Sequence, residues 1–187
     1  YGLDLLKSTG LPDQQKILDV GCGTGQFLRI ARQAGWAKCS GVDSNSHHKS
    51  FFEENSGVRY FSGSFDSINI NNIGGNHDAV TMWNTLEHTY GPVNFLSNLK
   101  GVMKSGSLIC VMVPNVKSLA TCLIREKSPC FTWQHPHYFS QKSLCLLMKK
   151  AGLKMEHMET VVTEIENIKS HLSGEHPYEG FGDPKNI

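Results

Sequence analysis

Three glycines at alternate positions constrain this chain more than any other feature. They stand in Ile17-Leu18-Asp19-Val20-Gly21-Cys22-Gly23-Thr24-Gly25, where a short apolar run leads to an acid and then to the glycines. A helix-compatible segment from Gln26 to Ala34 follows at once. This order predicts a buried strand, a tight turn and a helix N-terminus, the device by which open α/β folds bring a ligand against bare backbone. Glycine accepts positive φ and lacks a Cβ, so each serves a sharp turn or a close ligand approach. The spacing is G-x-G-x-G, because Gln26 stands where the third glycine of a dinucleotide binder would be. No Lys-Ser/Thr pair follows, which argues against a P-loop. An acid just ahead of the glycines suits a ligand with a cationic amine better than a pyrophosphate.

The rest of the chain repeats the strand-then-helix rhythm. Strand-like runs at 17–20, 38–42, 58–61, 79–83 and 107–113 are separated by helical candidates at 25–34, 46–54 and 93–103. Strands spaced this way predict βαβ units and a mostly parallel sheet with helices on both faces. Leu3 to Ser8 reads as a short helix over the glycine turn. Beyond the fifth strand a helix is expected over Val116 to Glu126, then an aromatic, His-rich loop from Ser128 to Phe139. Ser140 is the expected N-cap of a helix ending at Ala151, with Gly152 just past it. Leu153 to Val162 alternates as a sixth strand would. The expected domain covers residues 1–168, and the turn-rich segment 169–187 is an irregular tail.

Composition narrows the function classes. A chain of 187 residues is long enough for one domain with a sizeable core. A formal net charge of +1 makes no electrostatic case for nucleic acid or membrane as a partner. Six cysteines without a C-x-x-C pair are expected to be reduced thiols of a cytoplasmic protein. Cys22 reads as a space-filler in the glycine turn and not as a nucleophile. The start at Tyr1 has no signal-peptide pattern and no methionine, as expected of a fragment or processed chain.

Residues 17–25 resemble motif I of the class I S-adenosylmethionine (SAM)-dependent methyltransferases. Leu86-Glu87-His88 followed by Gly91-Pro92 is similar to the segment after motif IV of that family. The resemblance covers roughly residues 15–160 and is closest to the small-molecule branch that includes ubiquinone-biosynthesis O-methyltransferases. It implies a Rossmann-like fold with strand order 3-2-1-4-5-7-6, whose last strand is hard to find here. It also implies a site for SAM, with S-adenosylhomocysteine as product, at the carboxyl ends of the strands. Asp19 and Gly21 would hold the methionine end, with Cys22, Gly23 and Gly25 completing the turn. Asp43, 18 residues beyond Gly25, would accept the ribose hydroxyls, and Ser44 would border the adenine. Ser64 stands where the family commonly has an acid reading the adenine amino group, with the Phe65 N–H beside it. A plain turn fits that step nearly as well. Asn84, where the fourth strand releases into a loop, completes the cofactor set.

The acceptor is expected to be a small molecule, methylated at oxygen in preference to nitrogen or carbon. An oxygen nucleophile benefits from a general base, most often His. His88 and His137 are the candidates and His135 a weaker third; each equally suits a structural hydrogen bond closing its loop. Phe131, Trp133, Tyr138 and Phe139 suit either a wall of the acceptor pocket or anchors for the loop, which is expected to close over the transferred methyl. His47-His48-Lys49 is expected on a solvated helix face. Some related methyltransferases hold a divalent ion through an E-x-x-E-H step and a further His. Asn84 replaces the first glutamate here, leaving Glu87, His88 and a possible loop His; two or three ligands make a poor closed site, so no metal is expected. Rival readings are a non-catalytic SAM-fold module of a larger protein and a spermidine-synthase-like aminopropyltransferase. Oligomeric state is not legible.

Overall fold

The computed structural model describes residues 2–10, 15–36, 38–49, 52, 57–67, 70–161 and 165–174. The elements run α1 (Gly2–Ser8), β1 (Lys16–Val20), α2 (Gln26–Gln33), β2 (Lys38–Asp43), β3 (Arg59–Ser62), α3 (Ile70–Ile73), β4 (His77–Trp83), α4 (Pro92–Leu99), β5 (Met103–Met112), α5 (Leu119–Ile124), α6 (Gln141–Lys150) and α7 (Ile165–Leu172). Short 3-10 turns occupy Ser46–His48, Leu86–His88, Lys100–Val102 and Arg125–Lys127. Two compact units result, Tyr1–Leu86 with Asn94–Met112, and Glu87–Val93 with Val113–Ile187.

The first unit carries a five-stranded sheet in the order β3-β2-β1-β4-β5, every pairing parallel. The position of each strand follows from its side chains. β4 is buried from His77 to Met82 and β1 from Ile17 to Val20, as central parallel strands covered on both faces must be. β3, at the edge, stays partly exposed. Leu28 and Ala31, three residues apart, put one face of α2 into the core beside Ile17, Cys39, Ala79, Trp36 and Leu6. Full burial of a side chain such as Leu28 contributes about 1.5–3 kcal/mol. Because the strands are parallel, their carboxyl ends share one edge, and the segments after β1, β2, β3 and β4 all emerge there.

In the second unit α5 packs on α7. Ser118 caps α5, its hydroxyl accepting the Thr121 N–H at 3.1 Å, so the helix begins at Leu119 and not at Val116. The Val116 N–H donates to the Phe139 carbonyl at 2.8 Å, tying the end of the aromatic loop to the segment that leads into α5. Ser140 and Ser143 form a reciprocal capping box on α6, and Gly152 has φ 68° just past its end, as the sequence predicts.

Two expectations need correction. Residues 153–161 form no strand, and the rest of that run lies outside the described residues. Met155 is exposed, so the alternation has no face to bury, and strands 6 and 7 of the expected order do not occur among the described residues. The chain is also regular past residue 168: α7 runs to Leu172, its apolar Ile165, Ile168 and Leu172 falling at helical spacing. Residues 175–187 of the expected tail, and 50–51 and 53–54 of the helix expected over 46–54, lie outside the described residues.

Candidate active site

All three glycines of the turn take positive φ: 74° at Gly21, 52° at Gly23 and 73° at Gly25. A Cβ on Gly21 would lie 2.2 Å from the Thr85 hydroxyl, and one on Gly25 would lie 2.1 Å from the Phe52 ring. At Gly23 nothing lies within 4 Å of that position. The outer glycines therefore let the turn pack, while the middle one presents bare backbone to open space. Asp43, at the end of β2, fastens the turn: its carboxylate accepts the Gly23 N–H at 2.7 Å and the Asn45 N–H at 2.9 Å. The sequence reading put His48 on a solvated face with His47. His47 is exposed, but His48 brings Nδ1 to 3.8 Å from the Asp43 carboxylate.

Asp19 is buried in β1, with Gly41 and Thr81 as its register partners on the neighbouring strands. The Thr81 hydroxyl donates to its carboxylate at 2.7 Å. Only strand pairing brings Thr81 to this place, since 62 residues separate the two. Burial pushes the Asp19 carboxyl up to about 7, against the opposing pull of the Thr81 bond. Burial also pushes the Cys22 thiol up, with Asp19 and Asp43 adding to the effect, so Cys22 stays protonated and is no nucleophile.

The other expected cofactor residues stand on the same sheet edge. Ser44 and Ser64 follow β2 and β3 and are exposed. The Phe65 ring is buried against Phe95, centroids 5.5 Å apart, which leaves backbone groups as its means of meeting a ligand. Asn84 has φ 52° where β4 releases the chain, and its N–H is held by the Met112 carbonyl at 2.9 Å. A non-glycine residue in this conformation stores strain of the kind found at ligand sites.

The second unit contains the expected acceptor-side histidines. His88 holds the Gln134 carbonyl through Nδ1 at 2.9 Å, and His135 holds the Cys130 carbonyl through Nδ1 at 2.9 Å. Their rings meet edge-on, centroids 4.7 Å apart. His137 contacts the Tyr90 carbonyl through Nε2 at 3.3 Å. Phe139 is buried, whereas Phe131, Trp133 and Tyr138 are exposed, with Phe131 packed edge-on to Tyr138. Glu87 is 1% exposed and neither carboxylate oxygen has a hydrogen-bond partner. Burial raises its carboxyl above the usual range, while its own backbone and His88 act in the opposite sense. The sequence places Glu87 beside His88 but gives no sign of this burial, because burial without a partner leaves no local signature.

The donor set in the first unit fits SAM in kind. Asp19 is a buried anion for an ammonium group, Asp43 a carboxylate for a diol, and Gly23 an open stretch of backbone for close approach. Sheet order, glycine turn and acids at the strand ends together define a Rossmann-like class I methyltransferase. The chain belongs to the methyltransferase-domain family, whose model matches residues 3–158, and it is a SAM-dependent methyltransferase. None of the curated proteins matches it significantly. Solved structures share the fold at low identity. A SAM-dependent methyltransferase from Aquifex aeolicus superposes with TM-score 0.66 at 20% identity, covering 85% of this chain and 82% of that one. One from Mesorhizobium loti gives 0.65 at 15% identity, covering 91% and 88%. Magnesium protoporphyrin IX methyltransferase from Synechocystis, crystallised with S-adenosylhomocysteine, gives 0.64 at 15% identity, covering 87% and 74%. No helix among the described residues is long and apolar enough to cross a membrane.

Proposed function

We propose that this methyltransferase acts on a small-molecule acceptor, at an oxygen atom. The observation that carries the cofactor half is the Asp43 carboxylate seated on the Gly23 N–H at 2.7 Å, beside backbone open to a ligand. Bound SAM supplies a methyl group made electrophilic by its sulfonium. Asp19 takes the ammonium and Gly21 offers its carbonyl to the same end, with Cys22, Gly23 and Gly25 shaping the turn. Asp43 accepts the ribose hydroxyls and Ser44 borders the adenine. Ser64 and the Phe65 N–H read the base, and Asn84 completes the set. Holding the reacting groups in line supplies much of the barrier reduction.

His88 and His137 are the proposed acceptor-side groups, on segments that follow the carboxyl ends of β4 and β5 in the chain. A carbonyl only accepts, so each ring donates one N–H to it and in the neutral form keeps a lone pair on the other nitrogen. His137 is the proposed base: it would take the proton from the acceptor oxygen as the new C–O bond forms and the S–CH3 bond of SAM breaks, with S-adenosylhomocysteine as the leaving group. The aromatics at 131, 133 and 138 suit an apolar acceptor surface, and the balanced charge of the chain gives no footprint for nucleic acid.

Calorimetry with SAM, S-adenosylhomocysteine and NAD tests the cofactor half. The first two bind and NAD does not, and Asp43→Ala weakens binding about ten- to hundredfold, the worth of a lost charged hydrogen bond. Transfer of labelled methyl from SAM to a panel of hydroxylated and amine metabolites then identifies the acceptor. His137→Ala keeps SAM binding and loses about 10²–10⁴ in transfer rate. Saturable NAD binding without SAM binding overturns the reading.

A further inference from the structure

We propose that Glu87, His88 and His135 bind a divalent first-row transition-metal ion such as Zn²⁺, Co²⁺ or Mn²⁺. One ligand atom from each lies within 4.8 Å of the others. An ion at about 2.0–2.2 Å from nitrogen and oxygen needs these atoms only to move inward a little.

Two independent observations point to an ion. The first is the protonation pattern of the histidines. Both use Nδ1 on backbone carbonyls, Gln134 for His88 and Cys130 for His135, so in both neutral rings the hydrogen sits on Nδ1 and the lone pair on Nε2. Donation of the far ring N–H to a carbonyl is how metal-binding histidines are oriented and their tautomer set. The second is Glu87, buried to 1% exposure with both oxygens lacking a hydrogen-bond partner. A buried carboxylate without a donor or cation is costly, and a divalent ion supplies the charge that is missing.

The donor set selects the class of ion. Two imidazoles and one carboxylate suit zinc, cobalt, manganese or iron, whereas magnesium and calcium prefer oxygen ligands alone. Three protein ligands leave positions open, and His88 is exposed, so water or an oxygen of a ligand can reach the ion. The sequence reading left Glu87, His88 and a possible loop histidine and set them aside as a poor closed site, because spacing along the chain does not show which histidine meets them. The fold supplies that histidine as His135, 47 residues beyond His88. The site goes beyond the methyl-transfer reading and does not depend on it; it makes His88 a ligand and leaves the base role to His137.

The test uses the full chain, stripped with a chelator, without SAM. Co²⁺ is titrated in and followed by its visible absorption, and Zn²⁺ is followed by calorimetry. One Co²⁺ per chain is expected. Glu87→Gln, His88→Gln and His135→Gln should each weaken binding about 100-fold or more, beyond the loss typical of outer-shell changes. His157→Gln, exposed and outside the cluster, should not. Cooperative urea unfolding verifies that each variant is folded. His88 is exposed, so its variant is the least demanding on folding and serves if the Glu87 variant fails. Absence of saturable Co²⁺ binding to the parent chain overturns the site, as does full retention by the His88 variant. Equal competition by Mg²⁺ overturns the class of ion. None of these results bears on SAM binding, so the two readings fail separately.

Discussion

A carboxyl group as buried as that of Asp19 couples its proton to whatever charge arrives beside it. Held at about 7 by burial, it is partly protonated near neutral pH in the free protein. An ammonium group from a ligand stabilises only the ionised form, so binding favours loss of the proton. The sign follows directly: SAM affinity should rise with pH from 6 to 8, by at most about tenfold per pH unit below 7, and level off above it. Asp19→Asn should bind weakly and with little pH dependence. Calorimetry at pH 6, 7 and 8 checks this, and a flat profile in the parent chain would remove Asp19 from the ammonium site. The acid and its glycines were legible because motif and turn are contiguous. Its partner Thr81, and His48 beside Asp43, were not, since register and loop conformation place them.

Helices declare their ends locally, and sheets do not. Ser140 was legible as a cap because the bond it makes reaches only to Ser143, whose N–H it accepts at 3.2 Å. Ser140→Ala should cost about 1 kcal/mol, read as a lower urea midpoint with an unchanged slope. An unchanged midpoint would mean that α6 is held by the burial of Leu147 and Met148 alone. The run 153–161 shows the opposite case. Alternation there satisfied a strand template, but a strand exists only where a neighbour completes its hydrogen bonds, and none pairs with it among the described residues. α7 was passed over although Ile165, Ile168 and Leu172 have helical spacing, because the turn-rich segment after it dominated the reading.

At the scale of the molecule, His77 links stability to pH. It is fully buried at the start of β4 and bonds the Val102 carbonyl at 2.8 Å through Nδ1. Burial lowers its pKa, and the Val102 bond only partly opposes this. The folded chain therefore takes up the proton less readily than the unfolded chain. The contribution of His77 is fully present above about 6.5 and is lost as pH falls through the lowered folded value, at up to about 1.4 kcal/mol per pH unit. Urea unfolding at pH 7.5 and 5.5 should show a smaller loss in His77→Gln than in the parent chain, and equal losses would assign the slope to other groups. The sequence by itself determined the parallel α/β class, the glycine turn, the acids at the strand ends and the capped helix, because each is written in contiguous residues or in a spacing of one element. The tertiary structure alone decided the Asp19–Thr81 bond, the approach of His48 to Asp43 and the meeting of Glu87, His88 and His135. Those depend on which distant segments the fold makes neighbours, and one-dimensional spacing carries no record of that.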